Sequence, residues 1–435
     1  MVTFFAFCSA KRVGVSLSML GLVLGLAGTA GATAIDLSPV DQKAINESNE
    51  YYNLKVPNSS LKLSLSSSLT VAWDSNVGRS GFGSGTGKTS GWYVQPNLTL
   101  GISWPVTTFM KIHSSIGVGY RYYPDGTGQD DFFLNGDNGG LSTGIEADLR
   151  LGQNGKLTIG DNISRQIDNL QWSAAPMNNG MTGYSATQNE TFAQYQNDLR
   201  DDLHAYARYA HTIAWYEPTD YNFMNFQSDM IDTLLLKDFT KGWSLGPYAT
   251  ASTTYYSNPD WTGKKRNAST DLRLGLAFRH IGAVTIDGRA GYQFIDFNNT
   301  NGVTTDNSAA RPTYTVSAMF NTGERFSHTL LHSYEQSTAY RGVSVNYASQ
   351  FTTTYQLAYA MSSDLTMRGD VSWLNIHESD GGESSDLLRF GIGPTYTFTK
   401  KTSASLRYEY TKKLSDKAVN EYDRTVISLT LNHKF

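Results

Sequence analysis

Histidines are the side chains best suited to proton transfer or metal binding, and this chain has eight of them. They lie at 113, 204, 211, 280, 328, 332, 377 and 433, without the pairing a catalytic or metal centre needs. His328 and His332 would share a face of an extended strand but stand about 13 Å apart, too far to hold one ion. Asp130 and Asp131 form a lone acidic pair in a loop-like stretch, and no P-loop, HExxH or CxxC pattern occurs. The sequence predicts no catalytic centre, metal or cofactor, and so not an enzyme. The charge that does recur is set out in a different pattern. In DLRLGLAFRH, Asp271, Arg273 and Arg279 alternate with Leu272, Leu274, Leu276 and Phe278. In VTIDGRAGYQF, Asp287, Arg289 and Gln293 oppose Val284, Ile286, Ala290, Tyr292 and Phe294, and SLRYEY repeats the device. Charge opposite an oily face suits the lining of an aqueous space.

Strict alternation is the mark of a two-faced strand. LKLSLSSSLTVAW places Leu61, Leu63, Leu65, Leu69, Val71 and Trp73 on one face. WYVQPNLTLGISW does the same with Trp92, Val94, Leu98, Leu100, Ile102 and Trp104. About eighteen such segments, each on the order of 11–15 residues, run from Leu61 to the end, with sixteen as the second count. Short turns alternate with longer Gly-, Asn-, Asp- and Ser-rich loops, which predicts antiparallel hairpins with two unlike ends. A soluble sandwich uses strands of about 5–6 residues, whereas a strand crossing a bilayer needs about 9–11. A sheet in lipid must also close, because an open edge finds no hydrogen-bond partner there. The predicted fold is therefore all-β: a transmembrane antiparallel up-and-down β-barrel over residues 60–435.

Composition agrees. Charged residues make up 17 % and hydrophobic ones only 40 %, with 40 Gly, 26 Tyr, 20 Phe and 11 Pro. The formal net charge of -4 gives no reason to expect nucleic acid as a partner. Lys11 and Arg12 precede an apolar stretch that ends in Ala32-Thr33-Ala34, so residues 1–34 are expected to be a cleaved signal peptide. Cys8, the sole cysteine, falls inside it. Residues 35–59 form a short, polar, non-alternating segment, expected on the periplasmic side.

The signal, the alternating strands and the closing ISLTLNHKF together resemble the outer-membrane β-barrel porins of Gram-negative bacteria. The layout over residues 61–435 is similar to the putative β-barrel porin type 2 group. The resemblance implies an outer-membrane location and a water-filled channel for passive diffusion of small polar solutes. The alternative is a barrel anchor whose loops bind a surface or serve polysaccharide export. Expected partners are outer-membrane lipid and lipopolysaccharide, the barrel-assembly machinery, the solutes themselves, and a second copy as homo-oligomer. Ile427, Leu429, Leu431 and Phe435 look like the C-terminal assembly signal, although His433 departs from the aromatic residue often found in that row. Lumen-lining candidates are Lys111, Glu146, Asp148, Arg150, Arg208, Arg273, Asp287, Arg289, Arg368, Asp370, Arg389, Arg407 and Glu409. They would form either a mutually paired ladder or a track for solute. The loop over residues 170–189 would narrow the lumen or cover its mouth. Asp161 and Arg165 stand in phase with Leu157, Ile159, Ile163 and Ile167. That requires a bulge, a subunit contact or a place outside the bilayer.

Overall fold

The computed structural model describes residues 54–55, 59–77, 89–127, 130–134, 143–167, 185–217, 225–256, 267–298, 308–340, 345–378 and 383–435. Residues 1–34, where a signal peptide is expected, and most of the polar segment lie outside them, as do residues 170–184 of the long loop. Its last five residues prove to be strand, which begins at Ser185.

The strands are β1 (Lys62–Asp74), β2 (Gly91–Pro105), β3 (Met110–Arg121) and β4 in two pieces (Asp131–Phe133 and Thr143–Leu151). There follow β5 (Gly155–Ile167), β6 (Ser185–Arg200), β7 (Leu203–Glu217), β8 (Phe226–Thr240) and β9 (Trp243–Tyr256). Next are β10 (Asn267–His280), β11 (Val284–Asn298), β12 (Ser308–Thr322), β13 (Phe326–Tyr340) and β14 (Val345–Ala360). The series ends with β15 (Leu365–Glu378), β16 (Ser384–Thr399), β17 (Thr402–Ser415) and β18 (Tyr422–Lys434). Each pairs antiparallel with its neighbours in sequence, and β18 pairs with β1 from Ser66↔Lys434 to Asp74↔Val426. The sheet thus closes with eighteen strands. Leu54–Lys55, in the short non-alternating segment, pairs with the start of β1.

One end of the barrel has tight turns, and Gly242 and Gly323 serve them with φ of 79° and 63°, which side-chain-bearing residues rarely adopt. At this end Phe435 donates its backbone N–H to the Leu65 carbonyl at 3.0 Å, so the last residue belongs to the sheet. The outward face carries the large apolar side chains. Leu69, Val71, Leu98, Leu274, Leu276, Tyr292, Leu406, Ile427 and Leu429 all stand exposed on it, as the alternation predicts. An exposed apolar band on a closed barrel is stable against lipid and not against water.

The inward face is less uniformly polar than the sequence suggests. Tyr206, Leu234, Leu236, Tyr248 and Ala277 form a buried apolar patch there, across β7 to β10. Ala348, Leu374 and Ile376 form another, across β14 and β15. Side chains on a concave wall converge, so inward leucines and tyrosines cover one another.

Candidate functional site: the inner wall

Period-two alternation sends every second residue inward, and the strand register decides which inward residues meet. Lys111, Asp148, Thr158, Gln194, Arg208, Asp232, Thr250, Arg273, Gln293 and Arg311 occupy one unbroken cross-strand row from β3 to β12. Nothing in the linear sequence shows that these ten positions form a belt. It exists because antiparallel pairing places each one opposite the next.

Along the belt, most charged side chains are tied to the wall. Asp148 accepts from Lys156 Nζ at 2.9 Å and from Thr158 Oγ1 at 2.7 Å, with His113 Nε2 at 3.4 Å. Glu146 is one row beyond Asp148 on the same strand, opposite His113. Arg208 donates to Glu190 and lies over the Phe192 ring at 5.0 Å. Arg289 donates to Asp232 at 3.0 Å and covers the Tyr248 ring at 5.1 Å. Arg273 bridges Asp271 at 2.9 Å and Glu335 at 2.8 Å, and Gln293 Nε2 donates to Asp271 at 2.7 Å. Arg279 donates to Asp287 at 2.6 Å.

A second network lines the other side. Arg407 donates to Asp370 at 2.6 Å, and Arg389 donates to Glu409 at 2.6 Å. Beside it Arg424 grips the fully buried Asp74 through Nε at 2.9 and 3.0 Å, tying β18 to β1. A guanidinium fork matches a carboxylate, so each pair is held flat and in one orientation. All thirteen candidate positions are on the inward face. Lys111 stands opposite Asp148 in register. Arg150 and Arg368 differ from the others: they are exposed near the tight-turn end, with no carboxylate partner among the described residues.

The partners Glu190, Asp232, Glu335, Asp74 and Arg424 were not singled out from the sequence. Their alternation phase marks them as inward, but only the register shows which cation each one meets. Two histidines lie on the opposite face. His328 stacks on Phe320 at 4.5 Å, and His332 bonds Tyr314 and Thr353 at 2.9 Å each, both on the outward face.

The charge placement of Asp161 and Arg165 is also resolved. The β5–β6 register runs unbroken through both, so no bulge is present. Arg165 is buried among Asp131, Ser185, Thr187 and Glu217 at the loop end of the wall. Asp161 remains on the outward face.

No family model matches this chain, and no curated protein does. Among solved structures it is similar to OccAB3 of Acinetobacter baumannii, at 11 % identity over 86 % of this chain and 99 % of that one, TM-score 0.46. The outer membrane channel DcaP of the same organism gives 13 %, 88 % and 99 %, with TM-score 0.44. The anion-selective porin of Comamonas acidovorans gives 10 %, 87 % and 100 %, with TM-score 0.39. At such identities and scores the likeness leaves function to be read from the barrel's own walls.

Proposed function

We propose that this protein is an outer-membrane channel for the passive diffusion of small polar solutes. The observation that carries the reading is the eighteen-strand closure with an oily outside and an ionic inside. Strands about 4.8 Å apart and tilted roughly 40° close at a backbone radius of about 18 Å, wide enough for water. Inward charges held in pairs present polar groups to a hydrated solute without a strong field of one sign, which favours modest ion selectivity. The exported location rests on the signal-like residues 1–34, and assembly at the closing strand on Ile427, Leu429, Leu431 and Phe435, with lipopolysaccharide and the barrel-assembly machinery as partners.

Single-channel recording of the refolded protein in a planar bilayer tests this. Stable open steps of nanosiemens order support the channel. A barrel that inserts but does not conduct overturns it and favours the anchor.

A further inference from the structure

Between β12 and β13 the wall parts towards the loop side. The two strands pair from Thr322↔Phe326 to Tyr314↔Tyr334 and no further, although β12 extends to Ser308 and β13 to Tyr340. Upper β12 stays with β11 as far as Asp296↔Ser308, and upper β13 stays with β14 as far as Tyr340↔Val345. Pro312, which has no N–H to give a partner strand, stands where the ladder stops. The side-chain amide of Gln293 on β11 takes over that role. Its Nε2 donates to the Gln336 carbonyl at 2.7 Å, and its Oε1 accepts the Gln336 N–H at 2.8 Å. A glutamine side chain and one hydrogen bond together reach about 8 Å, short of two strand spacings at roughly 10 Å. Upper β13 has therefore left the wall and lies over the inner face of β11 and β12. Burial agrees. Gln293 and Thr313 face the lumen by phase yet are 1 % and 5 % exposed, and Gln336, outward by phase, is also only 5 % exposed.

We propose that upper β13 is a hinged leaf of the wall, which narrows the loop-side mouth while its clasp holds and widens it on release. The consequence for flow rests on the channel reading; the hinge does not. Beside the Gln293 amide, the clasp is an ion pair: Arg273 on β10 donates to Glu335 at 2.8 Å, past both β11 and β12. At the hinge Thr313 Oγ1 donates to the Tyr334 carbonyl at 2.9 Å. Two features oppose the clasp. Gln350, paired with Glu335 on β14, is buried with neither end of its amide hydrogen-bonded, and Gln336 Oε1 is likewise without a partner among the described residues. Buried amides in that condition favour any arrangement that wets them. The parted lengths, residues 308–313 and 335–340, also match. Continuing the register below them sets Arg311 against Ser337 and Ala310 against Thr338, with Pro312 alone lacking a donor. One seating is tied by side chains and the other by backbone, which makes the leaf a two-state element.

Thiol labelling of the full folded chain tests the leaf, with Thr313→Cys as probe and a small membrane-impermeant maleimide as reagent. The probe should react slowly on its own, because upper β13 covers it. Adding Glu335→Gln should raise the rate about tenfold, the loss of one charge-assisted contact. In planar bilayers Glu335→Gln should show a larger open step. If that variant fails to fold, Gln293→Ala, which spares the ion pair, carries both expectations. Rapid labelling of the probe alone, or a rate that the second substitution leaves unchanged, overturns the leaf even where conductance shifts, since losing a charge alters ion flow by itself. Faster labelling with an unchanged open step overturns its control of the mouth. A barrel that labels as expected but never conducts overturns the channel and leaves the hinge standing.

Discussion

Two walls of one barrel obey opposite chemistries. Where the sheet closes, β16 to β18 and β1 to β2 present Leu388, Phe390, Leu406, Tyr408, Leu429, Val71 and Leu98 outward. Their inward side is ionic, with Arg389, Glu409, Arg407, Asp370, Asp74 and Arg424 locked together. Across β7 to β9 the arrangement is partly inverted. Leu234, Leu236, Tyr206 and Tyr248 turn inward, while Ala207, His211, Asp229 and Ala251 turn outward. Backbone geometry is the same in both, since a closed antiparallel sheet constrains hydrogen bonds and not side chains. The difference therefore lies in the side chains: the closure turns a largely oily face outward, whereas β5 to β8 carry the outward polar row Asp161, Thr191, His211 and Asp229.

The comparison breaks most severely at the closure. Arg424→Ala leaves Asp74 charged, buried and unpaired, which should cost about 3–5 kcal/mol. The urea midpoint of the folded barrel reads this. The double change Asp74→Asn with Arg424→Met should recover most of it, and an unchanged midpoint in the single variant would mean the pair does not hold the seam. Next is the outward face itself. Leu429→Arg should destabilise by about 2–4 kcal/mol as a cation set against lipid. Thr191→Leu on the other wall should leave barrel stability within about 0.5 kcal/mol. Equal losses from the two would erase the distinction between the walls.

Smaller effects sharpen the inner side. Arg368→Glu puts a negative group where an exposed arginine has no carboxylate partner, and the reversal potential in a salt gradient should move toward cations. Substituting Arg279, already bound to Asp287, should disturb stability more than selectivity. The smallest effect lies beyond the oily wall, in the turn at Asp125. Its carboxyl accepts from the Thr127 hydroxyl at 2.6 Å, which holds it below the usual carboxylate range, and it also receives the Trp92 N–H at 3.2 Å. A depressed carboxyl contributes stability above its unfolded value and loses it as pH falls through the lowered one. Proteolysis of the turn should quicken only in acid, and Thr127→Val should move that onset to higher pH.

The sequence by itself determined a great deal here. Alternation is local, so the strands, their two faces, the hairpin ends and the count of eighteen could all be read from runs such as LKLSLSSSLTVAW. Phe435 continues the alternation of Ile427, Leu429 and Leu431, so its face could be read in the same way. Tertiary structure alone decided which charges meet. Arg208 finds Glu190, Arg289 finds Asp232 and Arg424 finds Asp74 across 18, 57 and 350 residues of chain. It also decided that Asp161, His211 and Asp229 share one outward row, and that the inner wall has apolar patches as well as ions. The physical reason is range: the period of a strand fixes a residue's side, whereas its neighbours follow from register and closure, which join positions far apart in sequence.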